Sequence, residues 1–478
     1  MSSAQEARRG QRGLALLALL VVLMVVAASS TAFVWYVNRQ QAQTGAGVRA
    51  RRAAHLAEAG LHTVLAALEA PAARDAAGPW WRPTAHEVRG DGEGRIRVWV
   101  RDGDAGALVV TSEGEVAGTV RMLEATVHLA SPALLAALYG AAVVRLEQPP
   151  AAVVIAPYGA GLGDRPWVHI AAGREIWFAT ADVSLNDPGV PVEVAPGPID
   201  PAPGTGPAPM TPPGPVRLLL ARDAALTVGA AHERVDVHQL RTLGVAADGV
   251  VLRAHGLPPL PDVDRAFYRR QAAGNLANAA TNAAAGRHAA DGALERKRDS
   301  LYTPAEFEQV QAYLAAADGP PRLRGVIYVT GGVSLLDAGR LEIADGALVT
   351  EGTVHLGDAA RLEIVHTPAS RRLPGLLVLD DGGLHISRDA RLRAHGLVDA
   401  ARTIDVTDGG RLEVIGAVVG RDPLTSVRNR GAVIVIRYDP AVLGTPGLAA
   451  RVGGPVVAWI ARVREVTAPP APPASPRR

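Results

Sequence analysis

The chain of 478 residues contains no cysteine, a single lysine (Lys297) among its 49 basic residues, and only 4% aromatic residues. The absence of cysteine excludes disulfide bonds, thiolate catalysis and zinc sites built from cysteine. The net charge is only +2, and no cluster of basic residues is interleaved with aromatics. This balance argues against a nucleic-acid partner. With few aromatic residues, the core must consist of Val, Leu, Ile and Ala.

Catalytic motifs are also lacking. The sequence has no G-x-S-x-G, H-E-x-x-H, Walker A or S-x-x-K motif. Gly159, Gly161 and Gly163 miss the spacing of a dinucleotide-binding loop and lie among turn residues. We therefore expect no catalytic residues, no cofactor and no small-molecule substrate.

One long apolar run is present, from Leu14 to Val37, and it carries no charged residue. At about 1.5 Å per residue it predicts a helix of about 36 Å, longer than the ~30 Å hydrocarbon core of a bilayer. The residues that we expect to anchor it in the membrane are Leu14, Leu20, Val26, Trp35, Tyr36 and Val37. The short basic leader and the large polar region behind the run favour a cytoplasmic N-terminus with the bulk of the chain outside the cytoplasm.

Three interpretations of this run stay open. A cleaved secretory signal would end near Ser30-Thr31-Ala32, although the apolar run continues beyond that point. An ordinary signal anchor would keep the whole segment. The third is a short basic leader that ends at Gly13 and is removed before the helix.

The third interpretation comes with a resemblance to a known family. The stretch RRGQRGLALLALLVVL, followed by LAEAGLHTVLAAL at residues 56–68, resembles the N-terminal region of PilX-like type IV pilus assembly proteins. The resemblance implies that a prepilin peptidase cuts between Gly13 and Leu14, and that other pilin-like subunits are partners. Ala18 stands where major pilins carry glutamate, which argues against a major subunit.

Two shorter regions follow the apolar run. Residues 38–70 have apolar side chains at helical spacing, including Val48, Leu56 and Leu68, and predict a helical stalk that ends at Pro71. Residues 71–135 then change to a period of two, with Ile96 and Val98 alternating with polar residues. This alternation predicts a small antiparallel sheet of about three or four strands.

The rest of the chain is repetitive. The segments VSLLDAGRL, VHLGDAARL, LHISRDARL and IDVTDGGRL share two apolar positions, a turn and an Arg-Leu pair. The repeated leucines are predicted to form one buried column: Leu341, Leu362, Leu392 and Leu412. Short strands at a period near 20 residues predict a parallel β-helix, or β-solenoid, right-handed by general prevalence.

The fold class expected is therefore mainly β: an N-terminal transmembrane and stalk helix, a small antiparallel sheet, and a parallel β-helix with a helical insertion. The predicted boundaries are a leader 1–13, membrane helix 14–37, stalk 38–70, antiparallel domain 71–135, first solenoid part 136–261 with a Pro/Gly-rich loop 196–215, helical insertion 262–320, solenoid repeats 321–440, terminal cap 441–467 and disordered tail 468–478.

Several polar groups have both a functional and a plainer interpretation. His232, Asp236 and His238 share a strand face, and His355 and His385 share a repeat position, so each set could bind a metal or simply face solvent. Five aspartates are candidates for the acid cluster of a polysaccharide-cleaving β-helix, although Asp before Gly or Ala is common in turns: Asp380, Asp381, Asp399, Asp405 and Asp408. Because a fold does not establish an activity, we expect no metal and no enzyme.

The function expected is that of a non-enzymatic pilus assembly or minor pilin-like protein of the inner membrane, displaying its β-helix outside the cytoplasm. The alternative is a membrane-tethered β-helix that binds or cleaves surface polysaccharide. A bare face of mixed charge on the β-helix favours the first function, and an acidic, aromatic-lined groove favours the second.

Overall fold

The computed structural model describes residues 3–69, 86–89, 94–103, 108–147, 152–157, 168–178, 183–185, 217–228, 233–234, 250–254, 257–288, 293–317, 321–367, 369–449 and 457–466. Side chains are not described for residues 3–23, 25–28, 42, 86–89, 102, 152, 156–157, 183–185, 217, 228, 233–234, 250–254, 293, 449, 457, 459 and 461. The prediction of a mainly β protein with parallel sheets and an N-terminal helix is confirmed.

The N-terminal helix α1 runs without a break over Ser3–Glu69, passing through Gly45 and Gly47. Its C-terminal part lies on a sheet of five antiparallel strands in the order β1-β2-β3-β4-β30. These strands are β1 His86–Arg89, β2 Gly94–Asp102, β3 Leu108–Val116, β4 Thr119–Ala130 and β30 Val457–Val466. We call this sheet with residues 53–69 of α1 the head.

Strand β30 comes from the far end of the chain. Val457–Val466 lies within residues 441–467, the predicted terminal cap, and it pairs antiparallel with β4 and completes the head sheet. The physical reason is that a strand needs a partner for its backbone hydrogen bonds, and the exposed edge of β4 supplies one. The whole parallel region is thus inserted between two adjacent strands of the head.

The inserted region, which we call the parallel domain, contains two further sheets. The first consists of β5 Ala136–Gly140, β7 Ala152–Pro157, β8 Val168–Ala172, β10 Val183–Leu185, β11 Arg217–Ala221, β14 Val250–Ala254, β16 Leu301–Tyr302, β17 Arg322–Val329, β19 Arg340–Thr350, β21 Arg361–Val365, β22 Leu376–Val378, β24 Arg391–Ala400, β26 Arg411–Gly420 and β28 Val433–Tyr438. The second consists of β6 Val143–Glu147, β9 Glu175–Phe178, β12 Ala225–Val228, β13 Glu233–Arg234, β18 Val333–Leu335, β20 Val354–Leu356, β23 Leu384–Ile386, β25 Ile404–Thr407 and β27 Val427–Arg430.

Every strand pair in these two sheets is parallel except β12 with β13. From β17 to β28 the strands alternate between the two sheets, except that β21 and β22 both belong to the first, so each of these turns contributes to both sheets. Apolar side chains at alternate positions, such as Val354 and Leu356 of β20, point between the sheets and are fully buried. A separate two-stranded antiparallel pair joins β15 Asp262–Val263 to β29 Leu448–Ala449.

The turns of the parallel domain lie on top of one another, and we call this arrangement the stack. Their order in the stack differs from their order in the sequence. The first sheet runs β14-β11-β8-β5-β26-β24-β21-β19-β17-β16, so the chain enters the stack in its middle, at β5. It proceeds outward to β14 at one end, crosses to β16 at the other end, and returns to β26 beside β5. Two halves that are distant in sequence therefore meet side by side, through β5 with β26 and β6 with β27.

The described residues of the crossing segment, 257–288 and 293–317, lie along the flank of the stack, and we call them the strap. It contains helices α2 Arg265–Gly274, α3 Ala279–His288 and α4 Pro304–Ala316. Helix α4 starts with a capping box, since Thr303 and Glu306 each accept a hydrogen bond from the other's backbone N–H. On this flank, neighbouring strands of the first sheet pair one residue of each strand with one of the next, and all of these residues are buried: Tyr328, Val349, Leu377, Asp399, Val419 and Tyr139.

Candidate functional site

Helix α1 has two halves with different surroundings. The docked half buries a row of small and apolar side chains against the head sheet: Ala53, Ala57, Leu61, Val64, Leu65 and Leu68. They pack with Ile96, Val98 and Val110 of the sheet. Buried apolar area is the main source of stability in such contacts, at about 25 cal/mol per Å², and this half is therefore firmly part of the head.

The projecting half of α1, residues 29–52, has mostly exposed side chains. Phe33, Val34, Trp35 and Tyr36 are 58–67% exposed, and Met24 is 68% exposed. The guanidinium carbon of Arg39 lies 5.2 Å from the centre of the Trp35 ring, one helical turn away. Exposed large apolar side chains clustered on one segment mark a surface that is covered by something else.

Val48 differs from its expected place in the stalk's apolar stripe. Its side chain is 46% exposed, whereas Leu61 and Leu68 of the same predicted stripe are buried. The reason is geometric, because Ala53 is the first buried side chain among the described side chains of α1.

The predicted membrane anchor falls partly outside the described side chains. The backbone is helical across Leu14–Val37, but the side chains of Gly13, Leu14, Leu20 and Val26 are not described. Trp35 and Tyr36 are exposed, and Val37 is partly exposed. In the part of the chain whose side chains the structure describes, no helix is both long enough and apolar enough to cross a membrane.

The four repeated leucines lie opposite one another in the first parallel sheet. Strand pairing joins Leu341 to Leu362, Leu362 to Leu392, and Leu392 to Leu412. Each is at most 3% exposed. They form a continuous apolar column between the two sheets, and their role is structural.

The arginines before these leucines form a column on the outer side of the same sheet: Arg340, Arg361, Arg391 and Arg411. A column of Glu342, Glu363, Arg393 and Glu413 runs beside it. Glu413 accepts hydrogen bonds from Arg391, at 2.7 Å to each carboxylate oxygen, and also from Arg411. The face therefore carries mixed, mutually neutralising charges.

The candidate metal ligands do not assemble in the described residues. The rings of His355 and His385 lie edge to face with centroids 6.3 Å apart, and the Nδ1 atom of His385 is 3.9 Å from Asp405. His232, Asp236 and His238 lie outside the described residues. Within the described part of the chain, no group of three or more His, Asp or Glu side chains has the arrangement of a metal site.

The candidate acids are separated and mostly paired with arginine. Asp380 forms an ion pair with Arg265, Asp381 accepts from Arg402 at 2.8 Å, and Asp399 accepts two hydrogen bonds from Arg421 at 2.7 and 2.6 Å. Asp405 belongs to the other sheet, and Asp408 lies in a turn with a φ angle of 50°. Asp399 is buried beneath the strap. The five carboxylates thus share no cleft in which two of them face one substrate.

Sequence reasoning missed the contacts that close the head. The Oε1 atom of Glu69 accepts a hydrogen bond of 2.9 Å from the backbone N–H of Ala458, which ties the end of α1 to β30. Gly60, Gly94 and Gly114 allow the helix and sheet to approach closely. The small residues Ala53, Ala57 and Gly60 along one side of α1 were the available signal.

The likeness found among known proteins is weak. No protein-family model matches the chain, and no curated protein matches it. Among solved structures, the chain is similar to the competence-associated pilin ComZ from Thermus thermophilus, with 14% identity and a TM-score of 0.27. The alignment covers 87% of this chain and 97% of ComZ. A TM-score of this size does not establish a shared fold, and this identity does not establish a family.

Proposed function

We propose that the protein is a non-enzymatic structural subunit of a pilus-related assembly in the cell envelope. The observation that carries the proposal is the division of α1 near Ala53. One half is buried in the head, while the other presents Phe33, Val34 and Trp35 to the outside. Such a helix is suited to packing among the helices of other pilin-like subunits, with the head and parallel domain displayed at its end.

The N-terminal resemblance to PilX-like proteins supports the same function. On this proposal a prepilin peptidase removes residues 1–13, and the helix from Leu14 is held in the cytoplasmic membrane before assembly. Trp35, beside Arg39, would lie at the interface of the membrane, where aromatic and basic side chains are enriched. The remainder of the chain would lie outside the cytoplasm.

We also infer that the parallel domain is a β-solenoid. The two sheets, the alternation of strands between them and the buried leucine column support this description, because stacked turns bury one continuous core. Its outer face at the arginine column carries paired charges, as expected of a scaffold. The paired and separated aspartates give no support to glycan cleavage.

Photo-crosslinking in producing cells tests the assembly function. A photoreactive phenylalanine analogue at Phe33 should yield covalent adducts with other pilin-like subunits. The matched control is Leu424 of the parallel domain, which is 70% exposed and should give no such adducts. Absence of protein adducts at Phe33, or the same adducts at both positions, would count against the proposal.

A further inference from the structure

One turn of the parallel domain carries an insertion that its neighbours lack. Strands β21 and β22 pair with the two ends of the single continuous strand β19, and the chain between them leaves the sheet. We call residues 366–367 and 369–375 the junction loop. The adjacent turn passes the same point without a loop, through Gly396, whose φ angle is 90°.

The junction loop is ordered by hydrogen bonds at its base. Thr367 N–H and the Ser370 hydroxyl both donate to Oδ1 of Asp345, at 3.0 and 2.8 Å. His366 Nε2–H donates to the carbonyl oxygen of Gly346 at 2.7 Å, and Gly375 N–H donates to that of Leu397 at 2.9 Å. The loop therefore projects from the stack in one defined direction.

Its tip reaches both places where the chain passes between the head and the parallel domain. Arg372 Nη1 donates to Nε2 of His128 at 3.0 Å, near the end of β4. Arg371 donates twice to Asp439, at 2.7 and 2.9 Å, immediately after the end of β28. Asp439 also accepts from the backbone of Ala441 and so begins the short helical turn that leads back to the head.

We propose that the junction loop is an acid-released clamp that fixes the orientation of the parallel domain on the head. Two covalent crossings alone would leave this orientation free to vary, whereas a third, side-chain contact at the same junction restrains it. The clamp does not depend on the filament function, since it concerns only contacts within one chain.

Acid sensitivity follows from which ring nitrogens accept hydrogen bonds. Arginine can only donate, so Nε2 of His128 must be the acceptor and the ring must be neutral. His395 is held neutral in the same way, because its Nδ1 accepts from His366 N–H at 3.2 Å. Protonation of either ring removes the lone pair that makes the contact, and at His128 it also places two cations against each other.

Burial and the neighbouring charges together favour the neutral form of the three histidine rings. Burial and then Arg372 lower the pKa of His128 from 6.5 to about 4. Burial, His366 and Arg393 lower the pKa of His395 to about 4, with Asp439 acting in the opposite sense. Burial also lowers the pKa of His366, against the effects of the Gly346 carbonyl, Asp345 and Asp439.

The direction of the pH effect follows from these values. An opened junction would take up protons near pH 6.5, whereas the closed one resists them until about pH 4. The closed form is therefore fully favoured above pH 6.5 and becomes less favoured as the pH falls toward 4. Each histidine shifts the equilibrium by on the order of 10²-fold over that interval.

Distance measurement between two spin labels on the full chain in detergent tests the clamp. The chain has no cysteine, so the labels attach only at the two cysteines that are introduced. These are Val120→Cys in the head and Leu424→Cys in the parallel domain, both at exposed positions. We expect a narrow distance distribution at pH 7.5 that broadens at pH 4. Arg372→Ala should broaden it already at pH 7.5.

The decisive variant is His128→Gln, because the amide oxygen accepts from Arg372 but does not titrate. It should give a narrow distribution at pH 7.5 and broaden less than the wild type at pH 4, because His395 still titrates but His128 no longer does. Arg402→Ala, which removes an exposed ion pair with Asp381 elsewhere on the stack, is the matched control and should behave as the wild type. A narrow distribution for Arg372→Ala, or equal broadening of His128→Gln and wild type at pH 4, would overturn the proposal.

Discussion

Gly114 of the head sheet lies directly against the backbone of Ala53 in helix α1. A Cβ atom at position 114 would overlap the Ala53 carbonyl oxygen and would lie 2.7 Å from the backbone nitrogen of Ala57. Only glycine permits this approach, and the buried face of the docked half depends on it. This contact therefore sets the distance between the head sheet and helix α1, the helix that also contains the projecting half.

We expect Gly114→Val to destabilise the head by about 3 kcal/mol or more, since overpacking typically costs 1–3 kcal/mol and here the obstacle is backbone. Thermal denaturation of the full chain in detergent measures the loss. Gly274→Ala is the control, because a Cβ there meets no atom within 4 Å. Equal melting temperatures for Gly114→Val and wild type would show that the helix does not dock as described.

The leucine column provides a second comparison. Leu362 is 1% exposed between Leu341 and Leu392, so Leu362→Ala should cost about 2–5 kcal/mol through lost burial and the cavity left behind. Leu362→Asp should cost more, because the carboxylate would find no partner there. Arg361→Ala should cost less than about 1 kcal/mol, as its side chain is exposed. Chemical denaturation would contradict the column if Leu362→Ala and Arg361→Ala proved equally destabilising.

Asn429 is an unexpected polar residue in the interior of the stack. It lies between Val406 and Leu146 where the two halves meet, is fully buried, and both polar atoms of its amide lack a partner within the described structure. An unsatisfied buried amide costs about 1–3 kcal/mol. We therefore expect Asn429→Leu to raise the free energy of unfolding by about 1–2 kcal/mol. A clear decrease in the same denaturation experiment would mean that the amide is satisfied in solution.

Two ion pairs next to the strap differ greatly in burial: Asp399–Arg421 lies within the stack beneath it, and Arg265–Asp380 joins the strap to the stack. Asp399 is paired with Arg421 beneath the strap and its side chain is 4% exposed, whereas Asp380 is 43% exposed beside Arg265. Asp399→Ala should cost about 3–5 kcal/mol, because the largely buried guanidinium of Arg421 loses its carboxylate partner. Asp380→Ala should cost less than about 1 kcal/mol. Urea denaturation of both variants compares them, and a larger loss for Asp380→Ala would contradict this account of the strap.

Much of the local structure was predictable because its cause is local. The capping box at Thr303 and Glu306 is a short-range signal, and the repeated Arg-Leu pair carries the register that places Leu341 opposite Leu362. The parallel sheets follow from the same repeat. These features need only periodicity and hydrogen-bond chemistry within a few residues.

The order of the turns and the membership of β30 were not predictable in this way. A repeat identifies turns that can stack. Nothing in β5 or β26 alone specifies that these two strands become neighbours, although the paired residues Leu138 and Val418 are 280 positions apart in the sequence. Likewise, Val457–Val466 joins β4 only because the intervening chain returns to the head. The separation of Asp399 from Asp405 follows from the sheets to which they belong, which the turn chemistry of aspartate does not reveal.

The N-terminus of the mature protein tests the central claim most directly. If the protein is a pilin-like subunit, mass spectrometry of the protein purified from membranes should find Leu14 as the first residue. Gly13→Asp should leave residues 1–13 attached and abolish the Phe33 adducts with other subunits. A wild-type N-terminus at Met1 or Ser2 would indicate an ordinary signal anchor, one at Phe33 a secreted protein, and either result would contradict the account.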